Sequence, residues 1–127
     1  MPTLNNLLGS GNSPLTCQAS LGIPSTGLTA TGNSQGTALA APSDFMVFTT
    51  VAASTGVILP ATVPTGPVNI TDSYVVVNHG ANTLSVYPPS GGKVGTGSTN
   101  AAFSVASGKT AWFLNIGSNN WAASVSA

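Results

Sequence analysis

A chain of 127 residues is long enough for one domain with a packed core, so folding requires neither disulfides nor a metal. Charged side chains make up 3% of the sequence, against roughly 25% in ordinary soluble domains, and the formal net charge is zero. Because such a surface offers little charge repulsion, association with further copies or with a larger partner is expected. Two lysines cannot neutralise a phosphate backbone, so nucleic-acid binding is not expected.

Membrane and secretory segments are not apparent either. No stretch approaches the roughly 20 consecutive apolar residues that a membrane-spanning helix needs. The first residues lack a basic region followed by a long apolar run, so no secretory signal is expected. Cys17 has no second cysteine to pair with, which is consistent with synthesis in a reducing cytoplasm.

Residues 1–41 are interrupted by glycine and proline so often that no helix of useful length fits between them. Two interpretations remain open, a disordered leader and an extended N-terminal arm that orders when it lies across a partner. Isolated hydrophobic residues favour the arm, because a pure spacer does not need them. The candidate attachment residues of this arm are Leu4, Leu7, Leu8, Leu15, Leu21 and Ile23.

Residues 42–127 have the pattern of an all-β domain, with short β-type runs separated by turn residues and no helical periodicity. The spacing predicts a compact antiparallel β-sandwich or barrel-like domain. The predicted strands are 45–53, 57–59, 74–78, 83–87, 102–106, 110–116 and 121–125.

Two of these strands, at residues 45–51 and 74–77, are apolar on both faces. A half-exposed antiparallel strand should alternate between apolar and polar residues, so both faces are expected to be covered. One face can belong to the core, and the second needs another sheet or another subunit. A further apolar face is expected near the C-terminus, formed by Trp112, Leu114 and Ile116 and then by Trp121, Ala123 and Val125. The candidate core or subunit-interface residues are Phe45, Val47, Phe48, Val75, Val76 and Val77.

The inventory for catalysis is small, with one histidine, one cysteine and two carboxylates. Asp72 and His79 bracket one predicted strand and are separated by roughly 23 Å, too far for a catalytic pair. No cluster has metal-ligand spacing. We therefore expect no enzyme activity, no catalytic or metal site and no cofactor.

Aromatic side chains leave a carbohydrate site open as an alternative. Trp112, Trp121, Tyr74 and Tyr87 could stack on sugar rings, although aromatic strand residues are more often part of the core. The glycine-rich stretch 91–100 is expected to be a surface loop that could contribute to such a site.

The later part of the sequence resembles a pattern found in small bacteriophage virion proteins, particularly head decoration (cement) and head-fibre proteins. The similar stretches are VVVNHGANTLSVYPPSGG at 75–92, AAFSVASGKTA at 101–111 and the late Trp121. Upstream, VAASTGVILP at 51–60 is similar to the first hairpin of the same pattern. Residues 1–40 lie outside the resemblance.

The resemblance implies a β-structured subunit, commonly a homotrimer, that binds the outside of an icosahedral head. The expected partners are further copies of the chain and the major capsid protein, and the expected location is the exterior of a virion assembled in a bacterial cytoplasm. The function implied is that of a capsid decoration protein, which stabilises contacts between major capsid subunits. The alternative is a receptor- or glycan-binding module of a head or tail fibre.

Overall fold

The computed structural model describes residues 24–127, which form strands, turns and loops and contain no helix. These residues form two sheets, one with five strands in the order β1-β3-β5-β8-β9 and one with four in the order β2-β4-β6-β7. The strands are β1 (Ser25–Thr29), β2 (Leu39–Ala40), β3 (Phe45–Thr50), β4 (Gly56–Ile58), β5 (Ser73–Asn78), β6 (Leu84–Tyr87), β7 (Phe103–Val105), β8 (Thr110–Gly117) and β9 (Asn120–Val125). The all-β prediction is confirmed, and the sheets do not close into a barrel.

The first six strands alternate between the sheets. β1, β3 and β5 pair in parallel in the five-stranded sheet, and β2, β4 and β6 pair in parallel in the four-stranded sheet. The chain therefore winds as a coil, and each turn, here called a rung, gives one strand to each sheet. The three rungs are β1 with β2, β3 with β4 and β5 with β6. An antiparallel end follows, in which β7 pairs with β6, β8 with β5 and β9 with β8.

The prediction of an antiparallel domain is therefore wrong, because both sheets are mixed. The turn-like segments 51–55 and 79–83 do not fold the chain back along the same sheet as hairpins. They are arches that connect a strand of the five-stranded sheet to a strand of the four-stranded sheet. When the chain returns to the five-stranded sheet, its next strand runs parallel to the previous one. Turn residues alone indicate where a strand ends and not which sheet the chain enters next.

All seven predicted strands are present, with ends that differ by up to three residues. The structure adds β1 and β2 within residues 24–41, which the sequence placed in the arm. Leu28 and Leu39 of these strands pack against the core, so this part of the predicted arm belongs to the first rung. Gly27, within β1, and Gly32, between β1 and β2, adopt positive φ values of 65° and 75°. Because glycine is unfavourable in strands, the local sequence did not predict β1 and β2.

The core lies between the sheets and is built from residues that stack across neighbouring rungs. Phe48 is paired with Leu28 on one side, and Val57 is paired with Leu39 and Val86 in the opposite sheet. At the antiparallel end, the ring of Phe113 meets that of Phe103 edge-on at a centroid distance of 5.6 Å. Stacking in register places apolar side chains of successive rungs at the spacing of adjacent strands, roughly 4.8 Å.

A fully buried asparagine holds the arch at 79–83. The side-chain amide of Asn78 donates to the carbonyls of Asn82 and Val105 at 2.9 and 2.8 Å. Its Oδ1 accepts from the backbone N–H of Gly80 at 2.9 Å. The side chain thus connects β5 to its own arch and to β7 in the opposite sheet.

A second buried asparagine fixes the long link between β4 and β5. Asn115 donates to Thr62 Oγ1 at 2.9 Å, and its Oδ1 accepts from the Gly117 N–H at 3.0 Å. Thr62 also exchanges two hydrogen bonds with Asn119, whose Oδ1 accepts from the Thr62 N–H at 2.8 Å and whose N–H donates to Thr62 Oγ1 at 3.0 Å. These bonds attach the link to the β8–β9 turn.

Replacing Asn78 by alanine should lower the free energy of unfolding by about 2–4 kcal/mol, because the substitution leaves buried backbone groups without partners. Asn69→Ala is the matched control, since Asn69 is exposed and its side chain makes no hydrogen bond within the described residues. Urea unfolding followed by tryptophan fluorescence measures both. Equal midpoints for the two variants would show that Asn78 does not hold the arch.

Candidate functional site

The five-stranded sheet packs one face against the four-stranded sheet and turns its other face outward. Alternation along β3, β5 and β8 places Met46, Val76 and Phe113 in the core, with no exposed surface or almost none. Their neighbours along each strand point to the opposite side. We call this opposite side the outer face, and its apolar residues are Phe45, Val47, Val75, Val77, Trp112, Leu114 and Ile116.

Strand register makes the outer face continuous. Phe45 lies opposite Val75, and Val75 lies opposite Trp112, so three apolar side chains form a row across three strands. Val47 and Val77 form a second pair beside it. Side chains directly opposite each other on adjacent strands lie about 4.5–5.5 Å apart at Cβ and therefore contact each other.

Large side chains remain solvent-exposed at the centre of this face. In the single chain, Phe45 is 39% exposed, Leu114 42%, Trp112 47% and Ile116 58%. Isolated exposed hydrophobic residues are ordinary, but a contiguous group with two aromatic rings is typical of an interaction surface. A shallow depression on this face lies beside Trp112 and Leu114 and is also lined by Ser73, Ala122 and Ser124.

Charged residues flank the outer face without lying in its apolar rows. Asp44 directly precedes β3, Asp72 precedes β5 and Lys109 precedes β8, so each lies at a strand end. Hydroxyl side chains such as Thr110 and Ser124 occupy the positions opposite Val77 and Trp112. The arrangement is an apolar centre with a polar edge, as in protein–protein interfaces.

The structure divides the candidate core or interface residues into two groups. Phe48 and Val76 are fully buried between the sheets. Phe45, Val47, Val75 and Val77 lie on the outer face. The sequence indicated that both sides of these strands are apolar, but not which side faces the other sheet. The second apolar face was expected to comprise Trp112, Leu114 and Ile116 together with Trp121, Ala123 and Val125. The pairing of β5 with β8 joins the first three to the outer face. The β9 residues of the group lie on the side that faces the other sheet, where Trp121 is buried and Ala123 packs against the core.

The candidate attachment residues of the N-terminal arm, together with Cys17, lie outside the described residues. That group comprises Leu4, Leu7, Leu8, Leu15, Leu21 and Ile23.

Residues with catalytic potential are dispersed in the described part of the chain. Asp72 and His79 lie just beyond opposite ends of β5. No group of three or more His, Cys, Asp or Glu side chains within residues 24–127 could hold a metal ion. No helix in the same range is long and apolar enough to cross a membrane.

The four aromatic residues considered for sugar stacking differ in accessibility. Trp121 is 1% exposed and packs edge-on against Tyr74 at a centroid distance of 5.4 Å. Tyr74 and Tyr87 are partly buried, which leaves Trp112 as the exposed ring. The loop at 91–100 is tied to the start of β9, where the Gly95 N–H donates to the Trp121 carbonyl at 2.8 Å.

Comparisons with known proteins return no match: no family model, no curated protein and no solved structure is similar to this chain at a significant level. A function has to be argued from the chain's own residues.

Tyr74 provides a pH test of the packing beneath the outer face. Burial, and then the nearby carboxylates of Asp44 and Asp72, raise the pKa of Tyr74 above its ordinary value of 10.0. The folded chain therefore holds this proton more tightly than the unfolded chain. The resulting stability is fully present below pH 10 and is lost as the pH rises through the raised pKa.

We expect the urea midpoint of the wild-type chain to fall above pH 10 and that of Tyr74→Phe to fall less. The phenylalanine keeps a ring against Trp121 but removes the titrating hydroxyl. Midpoints measured at several pH values on either side of pH 10 give the comparison. Parallel curves for the two proteins would contradict the assignment to Tyr74.

Proposed function

We propose that this chain is a non-enzymatic structural subunit of a bacteriophage virion, which assembles as a homotrimer and binds the exterior of the head as a decoration protein. The observation that carries the proposal is the outer face, where seven apolar side chains form one surface without a charged residue. The phage head is proposed as the location because the later residues resemble the sequence pattern of phage head decoration and head-fibre proteins. The subunit would be made in the host bacterial cytoplasm and would act on the capsid exterior.

The composition of the outer face suits an association that persists once formed. Aromatic residues are enriched at the centres of protein interfaces, and Phe45 and Trp112 lie in the same row here. Burial of apolar surface contributes about 25 cal/mol per Å² and requires no complementary charges. With four charged side chains in the sequence, the chain has few alternatives to this source of affinity.

A decoration protein would act passively. Contacts between the trimer and neighbouring major capsid subunits add free energy to junctions that otherwise open first. A partner that binds only the folded assembly stabilises it by RT ln(1 + [L]/Kd), where [L] is the concentration of free partner, so no chemical step is needed. The major capsid protein is therefore the second proposed partner, after further copies of the chain.

A glycan- or receptor-binding module of a fibre is the second candidate, and the observation that favours it is Trp112. This ring is 47% exposed, and the depression beside it is also lined by the hydroxyl side chains of Ser73 and Ser124. An exposed indole can stack on a sugar ring while hydroxyl groups bond to it. Electron microscopy with an antibody label distinguishes the candidates, since copies across the shell indicate decoration and copies at one vertex indicate a fibre.

The oligomer should depend on the outer face. Light scattering of the wild-type chain at micromolar concentration is expected to give a trimer mass. Leu114→Lys places a charge within the proposed interface and should weaken each interface by about 2–4 kcal/mol, which produces monomers with unchanged β-type circular dichroism.

Val63→Lys is the matched control for this experiment, because Val63 has similar exposure, 46%, but lies in the link between β4 and β5. It should remain trimeric. Val76→Asp tests the opposite face and should unfold the chain, because Val76 is fully buried. A monomeric wild-type chain, or a trimeric Leu114→Lys variant, would contradict assembly through the outer face.

Attachment to the head should resist salt. The Debye length falls from about 10 Å at 0.1 M to about 3 Å at 1 M salt, so electrostatic attachment weakens whereas apolar burial does not. We expect virions washed in about 1 M sodium chloride to retain most copies of the protein, counted on a gel. Decorated particles should also release their genome at a higher temperature than particles assembled without the protein.

Two outcomes would count against this mechanism. Loss of most copies in salt alone would indicate electrostatic docking. Retention of the copies with no change in genome-release temperature would favour the fibre or receptor-binding function over a stabilising one.

A further inference from the structure

The charged residues of the five-stranded sheet are separated by sign. β3 and β5 run parallel, so Asp44 and Asp72, which precede them, lie at the same end of the sheet. These two residues are the only carboxylate side chains in the sequence. β8 runs antiparallel to β5, so Lys109, which precedes β8, lies at the opposite end. We call the two ends the acidic end and the basic end.

Asp72 and Lys109 of one chain are too far apart to form an ion pair. Asp72 precedes β5, whereas the Lys109 carbonyl accepts from the N–H of Asn78 at the other end of that strand. Six residues of extended chain separate the two positions by roughly 20 Å. The Lys109 amine donates instead to the Ala127 carbonyl. Because this hydrogen bond is exposed, a carboxylate from another molecule can replace it.

Side-chain size on the outer face also varies along the strands. The row that crosses β3, β5 and β8 contains Phe45, Val75 and Trp112 and therefore both aromatic rings of the face. The rows on either side contain smaller side chains: Val47, Val77 and Thr110 toward the basic end, and Ser73, Leu114 and Ala122 toward the acidic end. Along the strands, the face is therefore bulkiest at its middle row.

A closed trimer sets a rule for where bulky residues fit. When three sheets enclose a common axis, the space in front of each sheet is deepest at its midpoint and shallowest at the corners, where two copies meet. Phe45 and Trp112 fit this rule if the corners lie at the strand ends, so that the strands run around the axis. If the strands ran along the axis, the midpoint would be β5, where Val75 is smaller than the rings on either side.

The length of the strands suits three copies. β5 and β8 have six and eight residues and are therefore roughly 20–26 Å long. The sides of a triangle of this size lie roughly 6–7.5 Å from its centre, close to half of the about 10 Å between packed sheets. The sides of a square would lie roughly 10–13 Å from the centre, which leaves the apolar residues around an open channel.

The same orientation brings opposite charges together. Contacts in a cyclic trimer join two different surfaces, and with strands around the axis these are the acidic end of one copy and the basic end of the next. Asp44 and Asp72 then meet the neighbour's lysine at each corner. Ile116, which is 58% exposed and lies near the acidic end, also gains a neighbour there. Strands along the axis would gather six carboxylates at one end of the trimer.

We propose that the strands of the five-stranded sheet run around the threefold axis of the trimer, so that the acidic end of each copy contacts the basic end of the next. Asp44 and Asp72 of one copy pair with Lys109 of its neighbour. Apolar burial on the outer face supplies the affinity, and the charged ends set the orientation. The inference rests on the homotrimer proposed above.

Charge reversal tests the contact between copies. Asp44 is the carboxylate to change, because Asp72 also accepts from the Asn69 N–H at 2.9 Å. At low ionic strength, Asp44→Lys and Lys109→Glu should each raise the concentration at which the trimer half-dissociates by about fivefold, since each removes attraction at three corners. The double variant should recover most of this loss. The two residues do not meet within one chain, so the recovery has to act between copies.

Ser104 is the control position, because it is exposed on the four-stranded sheet and lies away from both ends. Ser104→Lys and Ser104→Glu introduce the same charges and should leave the dissociation unchanged. Analytical ultracentrifugation over a dilution series measures all variants. With strands along the axis, Asp44→Lys would instead relieve repulsion between carboxylates and tighten the trimer.

A carbodiimide, which joins a carboxylate directly to an amine, maps the same contact. Trimers assembled from heavy-isotope-labelled and unlabelled chains should give peptide pairs of mixed label that join Asp44 or Asp72 to Lys109. Lys109→Gln should remove these pairs.

The outcomes separate this inference from the function on which it rests. A wild-type trimer in which the double variant shows no recovery would overturn the orientation and leave the homotrimer standing. A wild-type chain that is monomeric or dimeric would overturn the homotrimer and this arrangement with it.

Discussion

Each arch of the coil has to carry the chain across the roughly 10 Å between packed sheets without leaving buried backbone groups unpaired. The rest of the structure depends on how this constraint is met. At the arch after β5, Asn78 provides three hydrogen bonds from one fully buried side chain. At the link after β4, Thr62 and Asn115 provide the corresponding bonds. Because the arches are fixed in this way, successive strands meet in register and the apolar columns of the core can form.

These side-chain hydrogen bonds also explain how the fold is stable with few charged residues. Neutral amide and hydroxyl groups make the side-chain hydrogen bonds at the arches, and they keep this role at any moderate pH or salt concentration. The outer face can then consist of apolar residues in its central rows. Such a surface tends to associate, as the proposed homotrimer requires.

Much of the fold was accessible from the sequence, and the missing parts have physical reasons. Strand positions followed from β-branched and aromatic runs between turn residues. The parallel pairing did not, because an arch and a hairpin use the same turn residues. β1 and β2 were missed because Gly27 interrupts β1, because β2 has only two residues, and because both strands are stabilised by pairing with the next rung and not by local propensity. The outer face could be predicted only in part. Residues 75–77 indicated that both sides of the strand are apolar, but only the position of the four-stranded sheet shows that Val76 is buried and that its two neighbours face outward.

The antiparallel end of the coil limits growth in one direction. β8 runs against β5 and β9 runs against β8, so the five-stranded sheet ends in strands that cannot continue the parallel winding. Length can therefore change only among the parallel rungs, and it changes in whole turns, because a partial turn would put the apolar column out of register. A gene encoding this architecture can lengthen or shorten its product by duplicating or deleting a unit of about twenty codons, and every surviving turn keeps its neighbours.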